Sequence, residues 1–186
     1  MARTESNMFP LGNPATPFEL LDVISNQTLS LKELASDTAT VIFFICNHCP
    51  FVKHINAELI NVANHYKEKG ISFIGINSND ADSYPDDSPE NMKQVAEDLQ
   101  YPFPYLYDET QEVARAYQAA CTPDFYIFDK ELKCVYRGQL DDSRPGNGIE
   151  PNGASIRAAL DSILAGKPVP ERQKPSLGCN IKWKSN

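Results

Sequence analysis

The run Thr40-Val41-Ile42-Phe43-Phe44-Ile45 is apolar past its first residue, the pattern of a strand buried on both faces. Val52, Ile55, Leu59, Val62 and Tyr66 then recur at helical spacing, placing one apolar stripe on a helix that Gly70 closes. A second buried strand follows at 71–77, parallel to the first through a right-handed crossover. Upstream, Phe18 to Asp22 reads as a short strand and 25–27 as a turn. Thr28 to Leu34 leads into a short helix with a Ser30/Glu33 capping box. Downstream, Ser88 and Pro89 open a helix that ends near Gln100. A strand is expected at 102–108, a helix at 109–118, and an alternating strand from Pro123 to Asp129 that turns at 131–132 into an antiparallel partner at 133–138. Residues 141–153 are loop by composition, and Ala154 to Ala165 is an amphipathic helix stopped by Gly166. The expected fold is α/β: a central mixed β-sheet flanked by helices, in one domain spanning 1–186.

The ends fit this frame less well. Residues 1–16, with Pro10, Gly12 and Pro14, read as an N-terminal arm on the surface, and 167–186, with Pro168, Pro170 and Pro175, as a C-terminal tail. Ile181 and Trp183 are apolar residues that a free tail has no reason to expose. The acidic stretch from Asn79 through Asp87 reads as a solvated connection.

Composition narrows the function classes. A net charge of −8 argues against nucleic acid and anionic membranes as partners. The first ten residues hold no apolar signal region, and no segment approaches a membrane span, so a cytoplasmic location is expected. Five cysteines is an odd count, which fits reduced thiols better than a disulfide framework.

The chemistry lies between the first buried strand and its helix, in Cys46-Asn-His-Cys49-Pro50. A helix N-terminus offers unpaired N–H groups and positive potential, which favour a thiolate. Cys46, at the corner, is expected to be the exposed nucleophile and Cys49 the shielded resolving thiol. His48 between them is expected to lower the Cys46 pKa and make the couple more oxidising. No second Cys-x-x-Cys or His pair completes four metal ligands, and Cys49 and His54 lie about 140° apart round a helix, so no metal and no other cofactor is expected. A metal carrier using the two thiols and His48 is the alternative from another class. Cys134, in a hairpin strand, reads as packing, and Arg144 as a surface loop residue.

Phe18-x-Leu20-x-Asp22, Ser30-Leu31, the strand into Cys46-x-x-Cys49, and Thr122-Pro123 before the hairpin together resemble the thioredoxin-like superfamily, in its redoxin (AhpC/TSA, peroxiredoxin-like) branch. Asp141-Asp-Ser-Arg-Pro145 and Gly178-Cys-Asn-Ile-Lys-Trp183 extend the likeness from about Phe9 to Trp183. The resemblance implies a thioredoxin-like fold, a cis Pro123 against the thiols, and a Thr122 backbone that pairs with an extended substrate segment. It implies thiol–disulfide exchange through Cys46 and Cys49, with a disulfide- or thiol-bearing protein or small molecule and a thiol reductant as partners. Peroxiredoxins carry Pro-x-x-x-Thr-x-x-Cys. Here Ala39 and Phe43 hold the Pro and Thr positions before Cys46, so a peroxidase using Cys46 is the second reading. Cys121, two residues before Pro123, and Cys179, in a tail that can fold back, are additional redox candidates.

Overall fold

The computed structural model describes residues 3–185; residues 1, 2 and 186, the extreme ends of the expected arm and tail, lie outside it. The chain forms β1 (Arg3–Glu5), β2 (Glu19–Asp22), β3 (Gln27–Ser30), α1 (Leu31–Leu34), β4 (Ala39–Phe44), α2 (Pro50–Lys67), β5 (Ile71–Asn77) and α3 (Pro89–Asp98). It continues through β6 (Tyr105–Tyr107), α4 (Glu112–Ala116), β7 (Cys121–Thr122), β8 (Asp124–Asp129), β9 (Cys134–Gly138), α5 (Ala154–Leu164) and β10 (Leu177–Asn180).

Seven strands form the mixed sheet, in the order β3-β2-β6-β5-β4-β8-β9. β4 is its centre, parallel to β5 and antiparallel to β8, and all six of its residues are buried. Its alternation divides the core. Val41 and Phe43 face α2, α3 and α5, through Leu59, Met92 and Leu160. Ile42 and Phe44 face α1, α4 and the N-terminal segment, through Leu31, Ala114 and Phe9. The expected capping box is present, with Ser30 and Glu33 each bonding the other's backbone N–H. No helix among the described residues is long and apolar enough to cross a membrane.

The ends depart from expectation. β1, β10 and β7 form a second, antiparallel sheet, so neither the arm nor the tail merely lies on the surface. Phe9 is buried against Tyr117 and Tyr126, and Ile181 is buried as well. Trp183 is not; its ring stays partly exposed beneath the Arg115 guanidinium. Two glycines make the tail's docking sterically feasible. At Gly138, with φ +134°, a Cβ would collide with the Lys174 carbonyl oxygen, and at Gly178 with the Thr122 carbonyl oxygen. Ser176 Oγ donates to the Gly138 carbonyl, and the Gln139 N–H to that of Lys174.

Candidate active site

β4 delivers Cys46 just past its last residue, and Cys49 caps α2 with Pro50 at the first helical position. The Thr122–Pro123 peptide is cis, as expected, and brings the Thr122 side chain over the pair. Thr122 Oγ1 lies 3.2 Å from Cys46 Sγ, and the Thr122 carbonyl oxygen 3.2 Å from Cys49 Sγ.

Neither thiol is open to solvent. Cys46 is 2% exposed and Cys49 0%, so the expected exposed nucleophile is in fact enclosed. Over Cys49 the cover is the tail: β10 pairs Cys179 with Thr122 and sets Cys179 Sγ 2.7 Å from Cys49 Sγ. The edge of Thr122 expected to receive a substrate segment is therefore occupied by the chain's own strand. Its Gly178 permits a close approach that any side chain at that position would block.

Proton placement within the pair also departs from expectation. The neighbouring Cys49 sulfur first, then burial and the Asp87 carboxylate, raise the Cys46 pKa. The neighbouring Cys46 thiol lowers Cys49 to about 5; burial opposes the shift, while the Cys179 thiol and the Val52 and Cys179 N–H groups reinforce it. Of the two thiols, Cys49 is thus the one whose surroundings favour ionisation. Burial first, and then the contact with Cys49, push Cys179 up to about 12.

His48 does not spend its Nδ1 on a sulfur. That atom lies 2.6 Å from Asp87 Oδ2, and the ring stacks on Tyr84. The hydrogen bond to Asp87 raises the His48 pKa, favouring an imidazolium beside the thiols. Asp87 is the residue that sequence reasoning missed. It is fully buried and accepts from Asn47 N–H (2.7 Å), Asn77 Nδ2 (3.1 Å) and Asn79 Nδ2 (2.8 Å) besides His48. Burial would raise its pKa, but these donors outweigh it and hold the carboxyl below its ordinary range. The stretch read as a solvated connection instead folds over the start of α2, with Asn79 and Asp80 buried too. The available signal was Asn77-x-Asn79 at the end of a parallel strand, where α/β sheets gather polar side chains. A Cys46 sulfur, a His48 nitrogen and an Asp87 oxygen lie within 4.8 Å of one another, but the Asp87 oxygens already accept three N–H donors and pair with His48 Nδ1 at 2.6 Å. That donor set suits an anchored carboxylate better than a metal ligand.

The remaining candidates separate clearly. Cys121 is buried on the other face of β7, with its thiol toward the Pro123 carbonyl, and burial raises its pKa. Cys134 packs in the core beneath the Tyr136 carbonyl. Arg144 is consumed locally, donating to the Asp141 and Ser143 carbonyls and to Gln139 Oε1.

Residues 11–137 match the model of the AhpC/TSA family. Among curated proteins, none matches the chain. An uncharacterized conserved protein from Geobacillus kaustophilus is similar at 69% identity and a TM-score of 0.99, over 100% of this chain and 98% of its own. A hypothetical protein from Sinorhizobium meliloti 1021 is similar at 45% identity and a TM-score of 0.95, over 98% of this chain and 100% of its own. The thioredoxin domain of a thiol-disulfide oxidoreductase from Bacteroides vulgatus shares the fold, with a TM-score of 0.63 at 17% identity over 80% of this chain and 96% of its own. The mixed sheet and flanking helices are those of a thioredoxin-like fold, and the chain belongs to the AhpC/TSA family.

Proposed function

We propose that this AhpC/TSA-family chain is a thiol–disulfide oxidoreductase working through Cys46 and Cys49. The observation that carries the reading is the placement of the two thiols at a strand-to-helix corner beneath Thr122-Pro123, with Thr122 Oγ1 3.2 Å from Cys46 Sγ and the Thr122 carbonyl oxygen 3.2 Å from Cys49 Sγ. Cys49 is wholly enclosed, so attack on an external disulfide falls to Cys46 once its proton has moved to Cys49. The thiolate so formed is stabilised by Thr122 Oγ1 and by the imidazolium that Asp87 holds in place. Cys46 Sγ bonds to one substrate sulfur and the other leaves as a thiolate. Cys49 then gives up its proton and attacks Cys46 Sγ, releasing the second substrate thiol and leaving a Cys46–Cys49 disulfide. The substrate gains two electrons, and a thiol reductant resets the pair. Reaction with an aromatic disulfide tests this order. Cys49→Ser should retain one stable adduct on Cys46, while the native protein releases two thiol equivalents and retains none. Equal or faster adduct formation on Cys49 in Cys46→Ser would overturn the assignment.

Thr122 Oγ1 also supports the peroxidase reading, because it gives Cys46 the hydroxyl neighbour that Phe43 lacks. In that reading the Cys46 thiolate takes one oxygen from hydrogen peroxide, becoming a sulfenic acid with loss of hydroxide. Peroxide consumption by Cys49→Ser with an external thiol, at about 10⁴ M⁻¹s⁻¹ or faster, would place this reading first.

A further inference from the structure

Cys179 has a position that packing alone does not require. Its backbone pairs with Thr122, and directly opposed residues share a sheet face, so its side chain emerges beside that of Thr122, above the dithiol. Its sulfur meets Cys49 Sγ at 2.7 Å, inside the van der Waals separation of two sulfurs. The strand is fixed on both sides of it. Ser176 N–H donates to Ser6 Oγ, and Ile181 N–H to the Ala120 carbonyl. Lys182 N–H donates to Asn79 Oδ1, and Gln111 Nε2 to the Lys182 carbonyl. Gly178 sets the close approach. An extended segment lying against the residue before the cis-proline, with a cysteine at the dithiol, is the arrangement a protein substrate would adopt.

We infer that β10 is an internal substrate strand and that Cys179 is a third redox thiol, which takes over the disulfide from Cys46. The inference rests on the Cys46–Cys49 couple proposed above. Once that disulfide has formed, the Cys179 thiolate attacks Cys49 Sγ. The Cys49–Cys179 bond forms, the Cys46–Cys49 bond breaks, and Cys46 leaves as a thiolate that takes up the proton Cys179 has lost. No electrons enter or leave the chain. Part of what holds Cys179 protonated at rest is its contact with the Cys49 thiolate, and that contact vanishes when Cys49 is in a disulfide, while Lys182 continues to favour ionisation. The result is a reduced Cys46 available for a second substrate disulfide, with the first oxidising equivalent stored in the tail.

Disulfide mapping tests this. The full chain is equilibrated with glutathione at graded ratios of oxidised to reduced form, quenched in acid, alkylated under denaturing conditions and digested. Native protein should yield both Cys46–Cys49 and Cys49–Cys179 linked peptides, Cys46→Ser only the latter, and Cys179→Ser only the former. Absence of the Cys49–Cys179 peptide from native protein at every ratio, with Cys46–Cys49 present, overturns the relay and leaves the proposed function standing. A Cys49–Cys179 peptide with no Cys46–Cys49 peptide in either native protein or Cys179→Ser overturns the Cys46–Cys49 couple, and the transfer step with it. The deciding peptides come from the native protein, so a variant that fails to fold does not blunt the test.

Discussion

Asp124 offers a quantitative check on the packing beneath the site. It opens β8 directly after Pro123, is fully buried, and accepts two neutral donors, Ser6 Oγ and the Tyr126 hydroxyl, each at 2.8 Å. Burial dominates over these donors and raises its pKa to about 7. The unfolded chain has an ordinary aspartate near 3.9. Between those two values the folded state binds more protons than the unfolded state, so this residue makes stability fall as pH rises, levelling off above about 7. Three units at 1.36 kcal/mol each give about 4 kcal/mol in full, of which roughly 2.5 kcal/mol falls between pH 5 and 8. Asp124→Asn keeps the shape and cannot ionise. Urea unfolding of both proteins under reducing conditions, at pH 5, 6, 7 and 8, isolates the effect, because the contributions of His48 and Asp87 cancel in the difference. The variant should gain on the native protein by roughly 2.5 kcal/mol across that range. A difference that stays flat with pH would mean that the carboxyl is already ionised in the fold at pH 5, and the burial argument would fail.

Gly178→Ala should cost about 1–3 kcal/mol, because its Cβ would meet backbone rather than a movable side chain, and Cys179 should become rapidly alkylated in the native state. An unchanged melting temperature with Cys179 still protected would contradict the close-approach argument. Asp87→Asn should lower the His48 pKa, read from its imidazole resonance, and destabilise the protein by about 3 kcal/mol at neutral pH. The Asp87 contribution is present above the ordinary aspartate pKa and is lost on acidification, so the gap between native and variant should narrow toward pH 3; a gap constant with pH would argue against the ion pair.

How much of this was legible in the sequence follows from how local each feature is. The apolar run of β4, the stripe on α2, the Ser30 and Ser88 caps and the corner carrying Cys46 and Cys49 are all written within a few residues of where they act, and each appears where its pattern placed it. Asp87 acts across 39 residues on His48, and in sequence it is one acid among several; only the fold distinguishes it from exposed Asp82 and Asp86. The strand in the tail went unread for a related reason, although the apolar Ile181 marked the tail as docked. Its prolines describe a segment without helix, which is true, but β10 needs only four residues and a partner, and that partner lies 55 or more positions upstream. Helix position alone favours both sulfurs, so it does not distribute the charge within the thiol pair. The contact that Cys49 makes with Cys179, 130 residues away, is not written near either residue.

The self-docked strand limits how the site meets its substrates. Thr122 presents one backbone edge to the thiols, and β10 occupies it. A protein substrate that adds as a strand there must displace β10, and with it go the Cys179 contact, the Asn180–Cys121 pairing and the Lys182–Asn79 bond. Strand addition and transfer to Cys179 are therefore exclusive states of one edge. With β10 in place, the exchange proposed at Cys46 is confined to disulfides small enough to reach a sulfur that is 2% exposed. With β10 released, Cys49 loses its contact with the Cys179 thiol and the cover that the strand places over it, so displacement of the strand opens the edge of Thr122 and exposes the second thiol together.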